Sequence, residues 1–157
     1  MSLAELESLK NRLQLTIEVT ELQKAFLHSS YVHESPDGLE SNDCLEFLGD
    51  AVIELVVRDY LLRRFPTGSE GELTQRKATI VSGSALADNA RALGLERCLF
   101  LGNGEEETGG RHRNSILAAA FEALTAVVFL HEGYERTQHF LIEHLNLESA
   151  QGMREMV

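Results

Sequence analysis

The chain has 157 residues, 43% of them hydrophobic, and a formal net charge of −11. That length fits one compact domain, and that apolar content can build a core, which excludes a disordered chain. The charge excludes a module that grips nucleic acid mainly through a basic surface, but it suits an enzyme whose carboxylates hold a divalent metal.

No internal repeat, low-complexity tract or strand-like alternation interrupts the chain, and its apolar residues recur at helical spacing. The pattern predicts an all-α domain over residues 1–147, followed at 148–157 by a tail or the start of a linker. Helices are expected over 3–14, 21–29, 43–64, 70–92, 115–131 and 135–145. Ser2 to Glu5, Thr20 to Gln23 and Ser69 to Glu72 have the capping-box spacing, and Asn42 stands as an N-cap before the third helix. Pro66, Gly94 and Gly133 are stop signals for the third, fourth and fifth helices, and Ser35-Pro36-Asp37-Gly38 reads as a turn. Gly102 to Asn114, rich in Gly, Glu and Arg, reads as a long polar loop. Cys44 and Cys98 match no zinc spacing or disulfide framework, so both read as ordinary thiols of a reducing compartment. The start of the chain has no leader pattern. The longest apolar stretch, Ile116 to Leu130, is broken by Glu122 and falls short of the ~20 residues that span a bilayer. A cytoplasmic protein without a membrane segment is expected.

On the third helix, at about 100° per residue, Asp43, Glu46, Asp50 and Glu54 fall within roughly 80° of one another. Neighbouring like charges at this spacing cost ~0.2–0.5 kcal/mol per pair, and the plain alternative is the solvated face of an amphipathic helix. Glu54 has a partner in Arg58, four residues on, and Asp43 sits in the favourable field of the first turn. Glu46 and Asp50 have no such partner within the helix. Their neighbours Leu45, Phe47, Leu48, Ala51, Val52, Ile53, Leu55 and Val56 suggest a mostly buried helix with two acids in a cleft.

On the fifth helix, Glu122 is the only charged residue between Ser115 and Leu130. A buried carboxylate must be neutralised, paired or bound to metal. Two readings stand side by side: a salt bridge to Arg76 or Arg113, or a cation shared by acids from two helices. Hard oxygen ligands select Mg²⁺ or Mn²⁺ over zinc, for which no histidine is suitably spaced.

The run Asn42-Asp43-Cys44-Leu45-Glu46-Phe47-Leu48-Gly49-Asp50-Ala51-Val52 closely resembles the signature of the ribonuclease III family, usually N-E-R-L-E-F-L-G-D-A-V. Leu27 to Tyr31, Ser69 to Thr74, Leu101 to Glu106, Gly109 to Arg111, Ser115 to Ala118 and Phe121 to Leu124 resemble further family segments in the family's order. The resemblance implies an all-α, homodimeric endonuclease domain that cleaves double-stranded RNA, as in the processing of rRNA and mRNA precursors, with Mg²⁺ as cofactor and Mn²⁺ as substitute. By position it implies metal ligands at Glu46, Asp50 and Glu122, with Asp50 and Glu122 catalytic, and a dimer-interface aromatic at Phe47, which the residues alone would equally allow as core. Glu72, Glu105 and Glu106 lie in segments that approach RNA in the family. Many members carry a separate double-stranded-RNA-binding domain, and none is expected within these 157 residues. Two departures stand out. Asp43 replaces the usual Glu at an outer-shell or RNA-contact position, and Ala119 stands where the family has a ligand Asp, one turn before Glu122. Ala119 implies weakened activity, or alternatively a catalytically inactive relative that binds structured RNA or belongs to a ribonucleoprotein.

Overall fold

A computed structural model describes residues 3–148, and among these the chain is helical, with no strand beyond an isolated bridge between Leu27 and Phe100. The helices are α1 (Leu3–Leu13), α2 (Val19–Gln23), α3 (Ser29–Glu34), α4 (Asp43–Arg64), α5 (Glu70–Val81), α6 (Gly83–Ala92), α7 (Asn103–Glu107) and α8 (Asn114–His144). α4 and α8 make the most extensive packing, and α6 covers another side of α8. Fully buried Phe26, Phe121, Phe140, Leu6, Leu9, Ile53, Leu61 and Leu117 fill the space between them.

The bounds of α4 agree with the pattern, and Pro66 follows its end. Elsewhere the structure corrects the expectations. The helix expected over 21–29 is α2 followed by a 3-10 turn at Lys24–Phe26, and Thr20 lies inside α2, whose N-cap position is Glu18. α3 was not legible as a helix because a histidine caps it: His28 Nδ1 accepts the Ser30 N–H at 3.1 Å. The helix expected over 70–92 breaks at Ser82, whose extended backbone ends α5 while its hydroxyl accepts the Ala85 N–H at 3.1 Å to start α6. Ser69 does cap α5, accepting the Glu72 N–H at 3.1 Å. The Ser2 box and residues 149–157 of the expected tail lie outside the described residues.

The polar loop before α8 is ordered into α7 and a 3-10 turn at Gly110–His112. Arg111 holds it, donating to the Glu96 and Leu99 carbonyls at 2.7 and 2.9 Å. α8 is interrupted at Gly133, where φ is 87° and the backbone is not helical. The Phe121 and Phe140 ring centroids lie 6.1 Å apart, whereas 19 residues of straight helix would span roughly 28 Å. The chain therefore turns back at Gly133, and the two helices expected on either side of it exist as separate arms. α8 is long and apolar enough to cross a membrane by length and composition, unlike the shorter run considered from sequence, yet it turns back on itself and most of its apolar side chains are buried within the fold.

Candidate functional site

The site begins with a glycine. A Cβ on Gly49 of α4 would stand 1.7 Å from the Glu122 carbonyl oxygen of α8, so only a residue without a side chain lets the two backbones cross here. The contact places Asp50, the next residue of α4, beside the Glu122 side chain. The start of α4 is fixed by Asn42, which is buried and donates its side-chain amide to the Ala25 carbonyl at 2.8 Å and its backbone N–H to Leu27 O at 2.8 Å. Asn42 occupies the expected N-cap position, but its side chain makes no cap bond; it ties α4 to the 3-10 turn.

Three acids meet electrostatically at the crossing. Burial raises the Glu122 carboxyl to about 8, helped by a hydrogen bond with Asp50 and by the charges of Asp50 and Glu46. Burial also raises Glu46, with Asp43 and Asp50 adding to it. The charges acting on Glu122 are thus acids. Arg113, one of the bridge partners considered from sequence, is paired with Glu105, and Arg76 lies over the Phe65 ring at 3.7 Å. Glu122 and Glu46 are partly buried, while Asp50 and Asp43 are exposed, so the acids line an open crossing rather than a closed cleft. Among the described residues no three His, Cys, Asp or Glu side chains form a ready-made metal cage. The close pair is Asp50 and Glu122, with Glu46 within Coulombic reach and Ala119 partly exposed one turn before Glu122.

Glu54 is a different kind of acid. Its partial burial would raise its carboxyl, but bonds from Lys77 at 3.1 Å and Arg58 at 3.0 Å outweigh that and leave it lowered. Part of the outward face of α4 is apolar: Phe47 is 82% exposed, Leu55 56% and Leu62 60%. Phe47 is therefore not a core residue, and the helix is not buried on all sides as its composition suggested. Of the other acids considered, Glu72 sits in the α5 cap, and Glu105 and Glu106 pair with Arg113 and Arg111.

A family model for ribonuclease-III-like domains matches residues 19–148. The chain belongs to the ribonuclease III family. It is 49% identical over 139 residues to ribonuclease 3 of Pelotomaculum thermopropionicum, covering 87% of this chain and 58% of that one. It is 50% identical over 128 residues to ribonuclease 3 of Desulforamulus reducens, covering 81% and 52%. The chain thus spans about half the length of the curated relatives it matches. Among solved structures it resembles the nuclease domain of ribonuclease III from Campylobacter jejuni, at 31% identity and a TM-score of 0.83 over 90% of this chain and 96% of that one. That structure concerns flexibility in a region involved in dimer formation.

Within this ribonuclease III fold, sequence reasoning found the acids and missed what brings them together. Gly49 was read only as a letter of the signature, although a glycine between Leu48 and Asp50 on an otherwise bulky helix signals a close backbone approach. Lys77 gave no signal at all, because its partner Glu54 lies 23 residues away.

Proposed function

We propose that this chain is the nuclease domain of a divalent-metal-dependent endoribonuclease that cleaves double-stranded RNA as a homodimer. The observation that carries the reading is the glycine-tight crossing, which presents Asp50 and Glu122 from two helices as one hydrogen-bonded pair with Glu46 nearby and only acids acting on Glu122. The donor set fits Mg²⁺ or Mn²⁺: hard carboxylate oxygens on an open face, where an ion can keep several waters and needs only one or two protein ligands. Asp50 and Glu122 would hold it, with Glu46 and the more distant Asp43 completing a negative rim. When bound, such an ion lowers the pKa of a water and neutralises charge on the phosphodiester.

The chain's own residues supply placement. Glu122 keeps its proton and shares it in a hydrogen bond to Asp50; a bound ion would displace that proton, with Asp50 and Glu122 as its ligands. Ala119 adds no oxygen where the family has a carboxylate, which leaves one more position to water. Phe47, Leu55 and Leu62 form an exposed apolar stripe suited to a second copy of the chain, which would set two acid clusters against opposite strands. The A-form duplex would be read by shape and 2′-hydroxyls rather than by sequence.

Cleavage of a radiolabelled duplex RNA in Mg²⁺ or Mn²⁺ tests the proposal. Products with 5′-phosphate and 3′-hydroxyl ends, lost in Glu122→Gln, support it; a duplex left intact by the parent, by Ala119→Asp and in Mn²⁺ refutes it. Ala119 favours a second reading, a relative that binds structured RNA without cutting it. A silent parent made active by Ala119→Asp would select that reading.

A further inference from the structure

A cavity of about 380 Å³ shares no residue with the acidic crossing. Its walls come from the end of α1 and the last turns of α8: Arg12, Gln14, Arg136, His139, Glu143 and His144. In a chain of net charge −11, two arginines and two of the six histidines gather around one space. Both guanidinium groups are tied to backbone carbonyls. Arg12 donates to the Leu93 carbonyl at 2.9 Å, and Arg136 to the Leu13 carbonyl at 2.8 Å. Each bond takes one of the five N–H groups a guanidinium carries and restrains its movement. Glu132 accompanies Arg136 at 3.4 Å. The acid on the wall, Glu143, is 76% exposed, with its carboxylate 3.8 Å from His144 Nε2. His144 is anchored against the Phe140 ring at 4.8 Å, and burial holds its imidazole below the ordinary range, so it is available as a neutral donor.

The geometry points to this cavity as a binding site for a phosphate monoester of about the size of a nucleoside 5′-monophosphate. Tethered guanidinium groups and imidazoles lining one space offer donors to the several acceptor oxygens of a tetrahedral anion. The volume leaves room for a group attached to it, and lies within the range of small-molecule sites. The site is independent of the acidic crossing and of what that crossing does.

The test is an NMR titration of the His139 and His144 ring signals in metal-free buffer, with adenosine 5′-monophosphate, inorganic phosphate and adenosine as probes. Saturable shifts are expected with the two phosphates and none with adenosine. Arg12→Gln and His139→Gln, both at exposed positions, are each expected to weaken binding about tenfold, the loss of one charge-assisted hydrogen bond, with thermal stability checked alongside. Arg136→Gln should do the same provided it folds. Equal shifts with adenosine, or unchanged affinity in both Arg12→Gln and His139→Gln, would overturn the assignment. Short RNAs with and without a 5′-phosphate separate the two sources: selective binding of the phosphorylated strand identifies an RNA end, and binding of the mononucleotide alone identifies a free nucleotide.

Discussion

Replacing Glu122 by glutamine is expected to stabilise the metal-free protein. The carboxyl is raised from 4.5 to about 8, by burial first and then by Asp50 and Glu46. A group whose folded pKa lies above its unfolded value binds more protons in the native state between the two values, so stability falls as pH rises through that window. Keeping the proton at pH 7 on a group that would shed it when unfolded costs about 1.4 kcal/mol per pH unit above 4.5, about 3.4 kcal/mol in all. Glu122 is only partly buried, and solvent screening reduces this to about 1–2 kcal/mol. Glutamine keeps the shape and a donor for Asp50 and avoids the cost. For a chain of this size the gain corresponds to a Tm rise of about 2–8 °C at pH 7. Thermal melts from pH 4.5 to 8.5 in chelator should show parent and variant together at the acid end and separating as pH rises. The difference between them isolates Glu122 from other titrating groups such as Glu54 and Glu106, whose carboxyls are lowered. Adding Mn²⁺ should then raise the Tm of the parent and not of the variant. A variant that melts lower than its parent in chelator at pH 7–8, or a gap that does not widen with pH, would refute the account of the crossing.

Other substitutions probe the remaining parts. Gly49→Ala places a methyl group 1.7 Å from the Glu122 carbonyl oxygen, so the helices must separate; a loss of at least ~3 kcal/mol is expected, read as a collapse of cooperative melting. Asn42→Ala leaves the buried Ala25 carbonyl unsatisfied and should cost about 1–3 kcal/mol in denaturant titration. Phe47→Glu should leave the fold intact and convert a dimer to a monomer in sedimentation equilibrium, because the side chain is 82% exposed. Ala119→Asp adds a fourth acid: the metal-free Tm should fall, and Mn²⁺ should stabilise the variant more than the parent.

Much of this architecture was legible because it is written in local terms. A 22-residue run between Asn42 and Pro66 can be recognised as one helix from periodicity and its stop signal alone. The breaks that were missed depend on less common local chemistry: a histidine ring as cap for α3, and Ser82 capping α6 without the acid three residues later that advertises a capping box. Exposure was harder to read than helicity. The side chains of Phe47, Leu55 and Leu62 have the same composition whether a face meets its own core or another molecule, and only the packing of α4 on α8 shows which face is left over.

The acids illustrate the same division more sharply. Periodicity places Glu46 and Asp50 on one face of one helix, and composition isolates Glu122 on another, but neither contains the distance between the helices. That distance is set by the side chain that is missing at position 49. Because Gly49 lets the backbones touch, Asp50 and Glu122 face each other at the crossing, and burial there, with the Asp50 bond second, raises the Glu122 carboxyl. A bulkier residue at 49 would keep every acid in the sequence while separating the helices that hold them. The signature glycine therefore belongs to the site as much as the carboxylates do, though it carries no chemistry of its own.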